Sequence, residues 1–149
     1  MTITNGYTTL AEVKSYLRIP ASDTIDDAAI ESAINAASRE IDSFTQRVFY
    51  DVGTATRTFV ATDIFTTDID DLQSITSLKT ASDGTTFNIT WNTSTDAQLE
   101  PLNSVSGGIT GHPFTRIRAI GDYLFPMYLP SNINYNQASV EVVGEWGWA

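Results

Sequence analysis

Near residue 50 the spacing of apolar side chains along this chain changes from the helical repeat to the strand repeat, and that switch constrains the fold more than any other feature. Before it, Ile30, Ile34, Ala37, Ile41, Phe44 and Val48 recur every three to four residues, while Glu31, Asn35, Ser38 and Asp42 fall elsewhere on the wheel. After it the chain turns to Thr, Ser, Asn and Gly with short apolar alternations, which fit a pleated, half-buried surface. The expectation is an α+β chain: a helical lobe over 1–50 and a mostly antiparallel β-rich lobe over 51–149, together one domain.

Two helix starts are legible in the first lobe. In Thr9-Leu10-Ala11-Glu12 the threonine can cap the helix while the glutamate three residues later returns the bond, a capping box. Leu10, Val13 and Leu17 then share a face, and Pro20 ends this short helix by pushing Ile19 out of the helical region. The second helix is expected to be capped by Asp23 or Thr24, with Asp26 and Asp27 in the first turn near the positive end of its dipole. Its core face is Ile30, Ile34, Ile41, Phe44 and Val48. Ala28, Ala29, Ala33, Ala36 and Ala37 keep one flank narrow, so another helix, of the same chain or a neighbour, can approach closely there.

The strands expected in the second lobe are Arg57-Thr-Phe-Val-Ala61, Leu72 to Thr80, Thr85 to Asn92, Thr115 to Ile120 and Ala138 to Trp146, with Asp83-Gly84 as the hairpin turn between the second and third. Pro126 and Pro130 exclude a regular helix or central strand from the apolar stretch between Tyr123 and Asn132, which reads as a loop or edge.

Composition narrows function by exclusion. Eighteen acidic against eight basic residues leave a net charge of −10. Nucleic-acid binders draw most of their affinity from Lys and Arg on phosphates, so tight DNA binding is not expected. With no cysteine there is neither a disulfide framework nor a thiolate zinc site. The first ten residues lack the basic and apolar regions of a secretory signal, and no apolar run approaches a membrane span, so the chain is expected in the cytosol with no membrane partner.

Chemistry is sparse. His112, the single histidine, has no second imidazole for a metal site or triad and reads as a loop residue. Gly107, Gly108 and Gly111 form a Gly-rich segment without the Lys-Ser/Thr of a phosphate-binding loop. Asp63, Asp68, Asp70 and Asp71 invite calcium, but their spacing lacks the central glycine and closing glutamate of an EF-hand, so a solvated acidic loop is expected. Arg39, Arg47, Arg116 and Arg118 are expected to pair with nearby acids. No catalytic, metal or cofactor residues are assigned, and an enzyme is not expected.

The sequence ends on Val142, Val143, Trp146 and Trp148, where ends of domains are usually frayed and polar. Two tryptophans burying about 200 Å² each represent an upper bound of about 10 kcal/mol at about 25 cal/mol per Å². As a strand they face one way. Either they cover the helical lobe within the monomer, or Trp146 and Trp148, with Phe125, Tyr128 and Leu129, line a subunit or portal interface, where aromatics are enriched.

Taken in order, the opening Tyr7-Thr8-Thr9-Leu10 helix, the Asp26-Asp27 helix start, the Ala-rich stretch ending in Gln46-Arg47-Val48-Phe49-Tyr50 and the closing Gly144-Glu145-Trp146-Gly147 resemble the small head-tail connector (adaptor) proteins of long-tailed bacteriophages and gene transfer agents. The resemblance covers nearly the whole sequence. It implies a structural virion protein: a homo-oligomeric ring, dodecameric to match the portal, that docks beneath the portal protein after packaging and receives a stopper or tail-completion protein. DNA would pass through the channel without specific binding, and no cofactor is implied. The expected location is the virion neck, and the host cytoplasm during assembly. Family members with this ending run on into a further amphipathic helix that contributes to portal contact, which this sequence, ending at Ala149, does not include. The other reading is a different neck or tail component, such as a tail terminator or minor tail protein.

Overall fold

A computed structural model describes residues 2–83, 85–104, 111–127 and 138–148. The chain divides into two compact units, Met1–Tyr50 and Asp51–Ala149. The first holds two helices and the second a six-stranded antiparallel sheet, so the fold is α+β as the sequence indicated.

In the first unit α1 spans Leu10–Leu17 and α2 spans Asp27–Thr45. The capping box at α1 forms as expected: the Glu12 N–H donates to Thr9 Oγ1 at 3.2 Å, and Glu12 Oε2 accepts from the Thr9 N–H at 2.8 Å. Arg18 ends the helix in the left-handed region, φ 58°, and the Ile19 N–H closes onto the Lys14 carbonyl. The second helix starts later than the expected cap at Asp23 or Thr24. Asp23 is spent on the preceding turn, its carboxylate accepting from the Ile25 N–H and its carbonyl from Lys14 Nζ, so Asp26 becomes the cap and its side chain makes no capping bond. Lys14 is buried, and its ammonium also reaches Asp27 Oδ1 at 2.7 Å, clasping the turn between the helices.

Residues 2–8 are laced along α2 by its polar side chains. Asn35 accepts from the Thr4 N–H and donates to the Thr2 carbonyl, Arg39 Nη2 donates to the Asn5 carbonyl at 2.9 Å, and Ser38 Oγ accepts from the Tyr7 N–H at 3.1 Å. The Tyr7 hydroxyl donates to Asp42 and accepts from the Phe49 N–H, tying both ends of the unit to one helix. Gly6 sits where a Cβ would collide with Ile3 Cγ2 and lie 3.0 Å from Ile34 Cγ2, so the lacing needs glycine there.

The sheet comprises β1 (Asp51–Phe59), β2 (Thr66–Thr80), β3 (Ile89–Trp91), β4 (Ala97–Glu100), β5 (Phe114–Ala119) and β6 (Val140–Gly147). Its order is β1-β6-β2-β5-β4, with β3 pairing the end of β2. β2 organises it: Thr66–Leu72 pairs β5, Leu72–Thr80 pairs β6, and Leu78–Thr80 also pairs β3. Register shifts at Asp68/Leu72, Leu72/Ser74 and Ile75/Ser77 let one strand serve three neighbours. β4 was not foreseen, because four residues between turn signals show too little alternation. At the β2–β3 connection Asp83 Oδ1 accepts from the Thr85 and Thr86 N–H groups; Gly84 lies outside the described residues.

The core is the inward side of these strands. Val140, Val142, Gly144 and Trp146 alternate inward along β6 and meet Leu72, Leu78, Trp91, Ile117 and Phe125. Gly144 is forced by the close passage of β2, since a Cβ there would run into the Ser74 carbonyl oxygen and lie 2.7 Å from Leu72 Cδ1.

Several carboxylates are held ionised by fixed donors. The N–H groups of Thr86 and Thr85 bring Asp83 down to about 2. Bonds from Thr9 lower Glu12, the Thr66 hydroxyl and Phe65 N–H lower Asp63, and the Arg118 guanidinium lowers Glu100. Unfolded, these groups titrate near pH 4. Because their folded values are depressed, their stabilisation is complete above about pH 5 and is lost as pH falls through the folded values. The melting temperature is therefore expected to be level from pH 7 to about 5 and to fall towards pH 2, with a shallower fall for Asp83→Ala. An acid limb equally steep in that variant would contradict the assignment.

Candidate assembly surfaces

The long helix outreaches the short one. At 1.5 Å per residue, the 8 residues of α1 cover about 12 Å of an α2 that runs 19 residues, about 28 Å. The consequence falls on the expected core face. Ile34 is buried at 5% exposure and Ile30 and Val48 are half-buried, but Ile41 is 44% exposed and Phe44 89% exposed. Ile41 and Phe44 are thus not core residues of this unit: they lie on the apolar stripe but beyond the reach of α1.

Between the helices the shortfall leaves an open trough of about 500 Å³, lined by Val13, Leu17, Ile30, Ala33, Ile34, Ala37 and Ile41, with Tyr7, Thr8 and Ser38. Ala33 and Ala37, from the narrow flank visible in the sequence, form part of its wall. The polar groups of the lining are already engaged. Ser38 Oγ donates to the Ile34 carbonyl, the Tyr7 hydroxyl serves Asp42 and Phe49, and Thr8 Oγ1 donates to Glu12. Burial and the bond to Asp42 push the Tyr7 phenol above its ordinary value, so it stays protonated at neutral pH.

The aromatic residues expected at an interface are divided by the sheet. Trp146 is 0% exposed: Nε1 donates to the Ala55 carbonyl at 2.8 Å, Phe59 packs 5.6 Å from its ring, and the Arg57 guanidinium lies 4.6 Å from the ring centroid. Phe125 is equally enclosed, stacked on Trp91 with centroids 4.7 Å apart. Both are core residues of the sheet unit and present no surface to a partner; β6 lies inside the sheet, where its inward side chains are covered by this chain. Trp148 is half-buried, with the His112 ring edge-on at 5.4 Å. Tyr128 and Leu129 lie outside the described residues.

The acidic stretch is strand rather than loop. Asp68, Asp70 and Asp71 belong to β2, where Ile69 and Leu72 turn inward. Asp68 meets Arg116 at 2.7 Å and Asp70 meets Arg57 at 2.7 Å, while Arg118 reaches Glu100 at 2.6 Å. Asp63 turns its carboxylate onto the Phe65 and Thr66 N–H groups. Among the described residues, no group of three or more His, Cys, Asp or Glu side chains is placed to hold a metal ion. Lys14, Arg39, Arg57, Lys79, Arg116 and Arg118 each face a carboxylate, so little positive charge is left to gather phosphates. Among the described residues no helix is long and apolar enough to cross a membrane.

These features define a class: an α+β protein whose distinctive surface is an apolar helical trough rather than a chemical pocket. Residues 7–81, half of the chain, match the family described as phage gp6-like head-tail connector proteins, and the chain belongs to that family. The match runs from Tyr7, through the trough-bearing helices, to Ala81 at the end of β2. No curated protein and no solved structure matches the chain. Membership makes it a structural connector protein of phage particles.

Proposed function

We propose that this chain is the ring-forming subunit that sits beneath the portal and joins the DNA-filled head to the stopper or tail. The observation that carries the reading is the family match across the helical unit and the first two strands, the stretch that includes the open apolar trough. A connector is held by its neighbours, and an apolar stripe left uncovered within the unit suits that role. The partners are further copies in a closed ring, dodecameric to match the portal, then the portal protein on one side and a stopper or tail-completion protein on the other. The site of action is the virion neck, reached from the host cytoplasm during assembly.

Charge supports the same reading. A net charge of −10 with most cations paired gives a channel lining that does not retain the genome passing through it.

Cryo-electron microscopy of intact particles tests the proposal. Density for this chain is expected as a ring between the portal and the next neck protein. A ring bound to the tail tube instead of the portal would favour a tail terminator, and particles whose necks lack the chain would end the connector assignment.

A further inference from the structure

The stripe on α2 does not stop at the trough. Three residues past Ile41 it reaches Phe44, whose ring is 89% exposed. A trough with engaged polar groups and apolar walls takes an apolar group rather than a polar ligand. Its volume of about 500 Å³ is ample for a phenyl ring and its neighbours, since a cavity of roughly 150 Å³ already admits benzene. Phe44 is not among the residues that line the trough of its own chain. It is fixed on the same rigid helix, about 10 Å along the axis from Ala37 in the trough wall.

We propose that the trough of one copy receives Phe44 of the next copy. The proposal rests on the connector reading and names the contact by which copies join. Each copy then offers a ring and a receptacle from different stretches of α2, a head-to-tail contact that closes into a ring when the rotation allows. Phe44, 89% exposed, offers an aromatic surface of about 150–250 Å² on one face of a copy, and the half-exposed Leu17 and Ile41 of the trough lining are left to receive it on the other.

The test is sedimentation velocity of the full chain over rising concentration, with far-ultraviolet circular dichroism as a check on folding. Wild type is expected to pass through species larger than a dimer. Phe44→Asp and Ile41→Asp change exposed positions, so each is expected to keep the wild-type spectrum and lose at least tenfold in association constant. An equimolar mixture of the two is expected to give a discrete heterodimer, because the Phe44→Asp copy brings a trough with its lining intact and the Ile41→Asp copy an intact Phe44. A wild type that remains monomeric at about 1 mM, that stops at a dimer, or whose association is unchanged by Phe44→Asp overturns the contact. The connector assignment is read separately, from the chain's presence in particle necks, so the two can fail independently.

Discussion

Trp146→Ala is expected to destabilise the sheet unit by about 4 kcal/mol, within the range for truncating a buried tryptophan. The ring is wholly enclosed, so its removal leaves a cavity between β1 and β2 rather than a surface dimple. Three further contacts go with it: the bond to the Ala55 carbonyl, the packing on Phe59 and the seat of the Arg57 guanidinium. For a chain of this length the loss corresponds to a fall of about 10–15 °C in melting temperature. Near-ultraviolet circular dichroism on heating reads it. A variant melting within about 2 °C of wild type would mean that the tryptophan is not a core residue.

Ile34→Asp is expected to unfold the helical unit, while Ile41→Asp, about two helical turns further on, leaves its stability within about 1 kcal/mol. Ile34 is 5% exposed and lies among Gly6, the α1 face and Ser38, so a carboxylate there would be buried without a partner. An unpaired buried charge costs several kcal/mol, more than a two-helix unit has to spare. At Ile41 the new carboxylate reaches water. Urea titration followed at 222 nm separates the variants: loss of helical signal without denaturant for the first, an unshifted midpoint for the second. Equal effects would show that the trough does not open at Ile41.

The contrast between these isoleucines marks how far the sequence could be read. Helical periodicity grouped Ile30, Ile34, Ile41, Phe44 and Val48 as one stripe, because spacing fixes which side chains share a helix face; the helix ends at Thr45, so Val48 lies past it. It carried no information about how much of the stripe a neighbour would cover. The acidic stretch shows the same limit. Asp68, Ile69 and Asp70 alternate as a strand does, yet four aspartates within nine positions read as a loop, because the arginines opposite Asp68 and Asp70 lie elsewhere in the sequence, at positions 116 and 57.

What the sequence determined by itself was local: the capping box at Thr9, the change of period near residue 50, most strands of the sheet and, through residues in order, the connector family. These depend on neighbours within a few positions, where propensity and periodicity act. Tertiary structure alone decided the rest. It set β6 between β1 and β2, which made Trp146 core, and it spent Asn35, Ser38 and Asp42 on residues 2–8 instead of on solvent. It also decided which part of the α2 stripe is left uncovered, burying Ile34 and exposing Ile41 and Phe44. Burial depends on which distant segment arrives at a face, and a one-dimensional pattern does not specify the arrival.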